Sequence, residues 1–133
     1  MSKYTGTFDI ELQGKTYTLR PTFEAMVEFE EKSGKAVNEA YQDMIKGKMS
    51  FKTIACAIWA GILGESTYQN NPSASLKYLV VGESIKKDGL KNHVLNASEF
   101  FQMALIPEED QKRLAEEEAE KESETSASKK NTD

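Results

Sequence analysis

Cysteine and histidine are almost missing from this chain of 133 residues, which has one of each, Cys56 and His93. A lone cysteine closes no internal disulfide, so a disulfide-stapled secreted scaffold is excluded and a reducing, cytoplasmic setting is expected. One histidine leaves any Cys–His or Ser–His–Asp arrangement with a single candidate base. Long apolar runs are scarce too. The longest, Ile54 to Leu63, is ten residues without a polar side chain, too short to cross a bilayer. The opening MSKYTGTF has no apolar h-region and does not read as a signal peptide. Proline occurs three times, at Pro21, Pro72 and Pro107, each where an element is expected to begin or end. The eight glycines are scattered and form no phosphate-binding loop.

Basic excess is also lacking. Residues 1–106 hold 12 acidic and 12 basic side chains, and residues 107–133 hold 10 and 5, so the net charge of −5 belongs to the C-terminal segment. A neutral body without a basic stripe argues against nucleic acid as a partner. The hydrophobic content of 38% is enough for one modest core.

What is present is periodicity. Phe8 and Ile10 alternate with polar neighbours in the stretch Tyr4 to Leu12, Tyr17 and Leu19 do so before Pro21, and Gln13-Gly14-Lys15 lies between them as a turn: a β-hairpin pattern. Thr22 is placed to cap a helix over Phe23–Ser33, closed by Gly34. Further helices are expected over Asn38–Lys46, from Ser50 through the apolar run, over Ser73–Lys87 with Asn71-Pro72 as cap and first residue, and over Leu90–Ile106. Beyond Pro107 the apolar side chains nearly vanish; residues 108–122 suit a solvated helix and Ser123–Asp133 reads as disordered. The fold class is therefore α+β and mostly helical: a domain over 1–106 with an N-terminal β-hairpin followed by about five helices, then an acidic flexible tail over 107–133.

Gly14, the LRPTF run of Leu19–Phe23, Phe29-Glu30 and Gly34 form an ordered set of motifs, continued by SFKTIACAIWAG (Ser50–Gly61), VGESIKKDGL (Val81–Leu90) and Phe100, Phe101 and Leu105. In order and spacing this set resembles the family of gene-transfer-agent and phage tail assembly proteins, over roughly residues 5–106. The resemblance implies a phage or prophage tail assembly chaperone in the host cell cytoplasm, binding the tape-measure protein and the tail tube protein during virion morphogenesis. It equally implies the alternative carried by some family members, a structural tail tube component retained in the particle.

No enzyme, cofactor or metal is expected. Glu24, Glu28 and Glu31 recur at helical spacing but lack a second ligand element, and read as a solvated face. Glu30 falls among Phe23, Met26 and Val27 on the helical wheel, where a carboxylate needs a partner; Arg20 or a backbone amide would make it a structural anchor between hairpin and helix. His93 is expected on the exposed side of the last helix, and Cys56 as a small hydrophobe with a raised pKa. Tyr78, Val81 and Ile85 lie opposite Leu76, Leu79 and Val80 on the fourth helix, and Leu95 and Met103 project from the main stripe of the fifth. Either these helices are sandwiched within the monomer, or Tyr78, Val81, Ile85, Leu95 and Met103 form a partner-binding or self-association surface. Neither a membrane nor a nucleic acid is expected as partner, and a homo-oligomer stays open.

Overall fold

Two short strands open the fold, β1 (Phe8–Leu12) and β2 (Lys15–Leu19), paired antiparallel with Phe8 opposite Leu19 and Leu12 opposite Lys15. Gln13 and Gly14 form the two-residue loop, both with positive φ, 52° and 77°. That is the turn whose twist matches the strands, and glycine takes it at little cost. The alternation works as expected: Ile10, Leu12 and Leu19 are buried while Asp9, Glu11 and Thr16 face outward. The structure is a computed structural model that describes residues 5–130. Tyr4, the expected start of β1, lies outside them.

Helix α1 covers Phe23–Ser33. Thr22 accepts from the Ala25 amide at its head, and Gly34 ends it in the left-handed conformation, each as its residue type dictates. Helix α2 follows at Val37–Ile45. The central α3, Phe51–Tyr68, starts at the Ser50 cap and buries eleven of its eighteen residues. Pro72–Ala74 forms only a 3-10 turn, and Ser75 and Lys77 are extended, so α4 begins late, at Tyr78, and runs to Asp88. A second 3-10 turn over Leu90–His93 leads into α5, Val94–Leu105. The hairpin, α1, α4 and α5 surround α3, and α2 packs on α5. Phe29, Phe100 and Phe101 close the core with ring centroids 5.3–5.9 Å apart in tilted and edge-on pairs, a favoured geometry for aromatic rings.

Two glycines let α3 sit this deep. A Cβ on Gly61 would lie 2.7 Å from the Leu19 side chain. On Gly64 it would overlap the Arg20 carbonyl oxygen and meet Ala25 Cβ at 3.0 Å. The Arg20 amide donates to the Gly61 carbonyl at 2.9 Å, tying the end of the hairpin to the helix that the missing side chains admit.

The body spans Gly6–Leu105, and the chain from Ile106 onward is a separate unit. There α6, Glu108–Lys130, extends the helix expected for 108–122. The last three residues, 131–133, lie outside the described ones. Over residues 108–121 composition supplies a reason for the helix, since Glu, Lys and Ala are strong helix formers, Glu108, Glu109 and Asp110 sit at the positive end of the helix dipole, and Asp110 pairs with Arg113 at 3.6 Å.

Candidate functional site

On α4 the apolar residues divide between two faces, and the structure settles which is the core. Val81 and Ile85, expected in the partner-binding set, are completely buried. Tyr78 is half-buried: its ring stands edge-on to Trp59 at 6.1 Å, and the Lys32 ammonium lies 5.2 Å from the ring centre. The outward residues are instead Leu79, 76% exposed, and Val80. The core stripe is the one that continues, since Tyr78, Val81 and Ile85 repeat over two turns whereas one turn beyond Leu79 and Val80 stand Glu83 and Ser84. That signal lay in the sequence. On α5, Leu95 projects outward as expected, 81% exposed, while Met103 is half-buried.

The proposed Arg20–Glu30 anchor does not form as a pair. Arg20 Nε meets Glu65 Oε1 at 2.9 Å, and its guanidinium lies 3.6 Å above the Tyr68 ring. Glu30 is exposed, and its Oε2 accepts from the Val37 amide at 2.9 Å. It is therefore an anchor through a backbone amide, joining α1 to the first turn of α2 rather than to the hairpin. The carboxylate there satisfies an amide without a partner inside its own helix. The reason for the change is the phase of α1: its core face runs through Ala25, Phe29 and Ser33, with Met26 packed beside it. Phe23, exposed, and Val27, half-buried, form a second apolar stripe beside it.

That stripe lines one wall of a cleft of about 340 Å³ between α1 and α3. Phe23 (76% exposed), Val27, Ala25 and Leu63 make it apolar, and Glu24 and Glu28 line it from α1. The lining residues repeat one helical turn apart: Phe23 with Val27 and Glu24 with Glu28 on α1, Leu63 with Thr67 on α3. The cleft therefore follows the two helices, with Gly64 at the point where they close on each other.

A second, polar cleft lies beside the hairpin loop, where Gln13 and Gly14 face Asp88, Asn92, His93 and Asn96. His93 is 2% exposed, not on the outer side of a helix as expected, because the 3-10 turn over Leu90–His93 shifts the phase before α5 begins. Its Nε2 bonds Asp88 Oδ2 at 2.8 Å and its Nδ1 bonds Asn96 at 3.0 Å. Asp88 also accepts from the backbone and side-chain amides of Gln13. The His93 bond, ahead of those from Gln13, holds the Asp88 carboxyl below its usual range against the opposing effect of burial. With both ring nitrogens engaged, His93 has none left for Cys56. Cys56 is fully buried, and burial pushes its thiol up, the Tyr78 hydroxyl working the other way. The cluster clamps the hairpin loop to the end of α4.

Among the described residues no three His, Cys, Asp or Glu side chains converge as metal ligands, and no helix is long and apolar enough to cross a membrane. Met26, Met44 and Met49 pack against the core. In comparisons with known proteins no family model matches the chain, and neither a curated protein nor a solved structure matches it at a significant level.

Proposed function

We propose that this chain acts by binding rather than by catalysis, as a phage or prophage tail assembly chaperone that covers apolar segments of a tape-measure protein in the host cytoplasm while the tail tube polymerises. The observation that carries the reading is the set of large apolar side chains left in the open on regular helices: Phe23 on α1, Leu79 and Val80 on α4, and Leu95 on α5. Side chains of this size, presented on packed helices, offer contact area to a newly made polymer at little ordering cost. A second support is the location of the residues that carry the family resemblance. Gly14 makes the hairpin turn, Leu19 lies against Gly61, and Phe29, Phe100 and Phe101 form the core cluster. Those motifs are requirements of a fold.

The test is co-expression with a tape-measure protein encoded near it in the same genome. The long protein should become more soluble with the chain present, and a variant carrying Leu79→Ser and Leu95→Ser should give less of that gain while keeping its own melting temperature. No gain with the unaltered chain overturns the chaperone reading. Recovery of the chain as a stoichiometric component of purified tails favours the tube-component alternative in its place.

A further inference from the structure

We propose that the cleft between α1 and α3 is the docking site for an amphipathic helical segment of a partner protein that places an apolar anchor between lysine or arginine side chains. The inference rests on the reading of the chain as a binding module and goes deeper by fixing where the partner sits and what chemistry it offers.

Shape and lining favour a helix. Phe23 and Val27 on one wall and Leu63 on the other repeat at turn spacing along the cleft, which suits a partner whose anchors recur at the same spacing. The volume of about 340 Å³ lies at the lower end of the range for binding clefts. Phe23 is the clearest mark: a phenylalanine 76% exposed at the first position of a well-capped helix, held beside the cleft instead of folded into the core.

Charge selects the partner. Glu24 and Glu28 both line the cleft, and among the described residues neither takes part in an ion pair. Carboxylates four apart on a helix repel, and the helix dipole favours Glu24 more than Glu28, which lies beyond the first turn. A cation arriving with an apolar anchor relieves that repulsion; an acidic segment adds to it. A basic amphipathic segment is therefore drawn to the cleft and an acidic one turned away.

The test titrates the full chain with fluorescein-labelled peptides of roughly 18 residues, about five helical turns. One has leucines at i, i+3, i+4 and i+7 flanked by lysines; the other has glutamates in place of the lysines. Anisotropy should report the lysine peptide binding about tenfold more tightly at low salt, an advantage that shrinks as salt is added. Glu24→Gln with Glu28→Gln should weaken the lysine peptide roughly 3- to 10-fold, Phe23→Ser should weaken it further, and Leu79→Ser should leave it unchanged. Equal affinity for the two peptides, binding of neither, or a lysine-peptide affinity indifferent to the cleft variants overturns the proposal. Self-association of the chain that disappears in the Glu24→Gln, Glu28→Gln variant also overturns it, in favour of a second copy as occupant. The two readings separate cleanly. If the cleft variants lose the peptide but the unaltered chain solubilises no tape-measure protein, the cleft stands and the chaperone falls; if the unaltered chain solubilises that protein but binds the lysine peptide no better than the glutamate peptide, the reverse holds.

Discussion

Helices α3 and α6 have the same backbone hydrogen bonding and almost opposite reasons for having it. α3 is built from residues that are mediocre or poor in an isolated helix, among them isoleucine, threonine, cysteine, tryptophan and two glycines, yet it buries eleven of eighteen positions. α6 is dominated by glutamate, lysine and alanine over residues 108–121, and none of its described side chains is buried. The first is helical because the body around it removes its apolar surface from water; the second because its residues favour helix locally. The exposed apolar side chains are divided in the same way: Phe23, Leu79, Val80 and Leu95 stand on helices of the body, whereas the described side chains of α6 form no apolar stripe.

The sharpest way to break that contrast is to exchange the two determinants at one position. Alanine is preferred over glycine in a helix by about 1 kcal/mol, so Gly64→Ala would stabilise α3 if local preference ruled it. The structure sets against this a Cβ that overlaps the Arg20 carbonyl, a backbone atom unable to swing aside. The expected outcome is a net loss of about 2–3 kcal/mol. A thermal melt would read this as a fall of roughly 10 °C. Gly61→Ala should cost less, because the Leu19 side chain that it meets can rearrange. A rise in melting temperature for Gly64→Ala would show that α3 does not sit where described.

A smaller effect distinguishes acids tied into the body from acids in solvent. Asp88 is held below its usual carboxylate range by His93 and Gln13, so as pH falls the unfolded chain takes up the proton first. The stabilisation is therefore present above the ordinary aspartate value near 4 and is lost as pH drops through the lower folded value. Replacing Asp88 by asparagine should cost about 1 kcal/mol at neutral pH, and denaturant titrations of the two proteins should converge as pH falls through the lowered Asp88 value. A gap that stays constant with pH would mean that the charge on Asp88 contributes nothing to the clamp on the hairpin loop.

Much of the architecture was legible because local signals and tertiary needs agree. Thr22, Gly34, Ser50 and the Gln13-Gly14 loop each act where their chemistry places them. The misreadings fall where a helix is apolar on more than one side. On α1 the stripe through Phe23, Met26 and Val27 is the more apolar in sequence, and it carries Glu30 with it. The close approach of α3 at Gly64 instead selects the face with small residues at both ends, Ala25 and Ser33, around Phe29. Such a choice depends on the partner helix and is invisible from α1 alone. His93 was misplaced for a related reason: a single 3-10 turn rotates everything before it relative to α5, and no residue between Leu90 and His93 announces the change of pitch. The α1–α3 cleft was likewise hidden, since its two walls are separated by more than thirty residues of sequence.

The smallest expected effect on stability is also the most direct reading of the comparison. Ala119 stands within α6 among glutamates, and Ala119→Gly removes about 1 kcal/mol of local helix preference, the same exchange as at Gly64 in reverse. In a helix held by its own composition the penalty should appear as a loss of helical circular dichroism at 25 °C, graded and spread over neighbouring turns, because fraying at one residue propagates where local preference sustains the helix. In the body nothing should change: the near-ultraviolet signal of Trp59 and the main melting transition should match those of the unaltered chain. A fall in that transition would mean that α6 contributes to the folded body, and the division between a helix made by packing and a helix made by propensity would have to be abandoned.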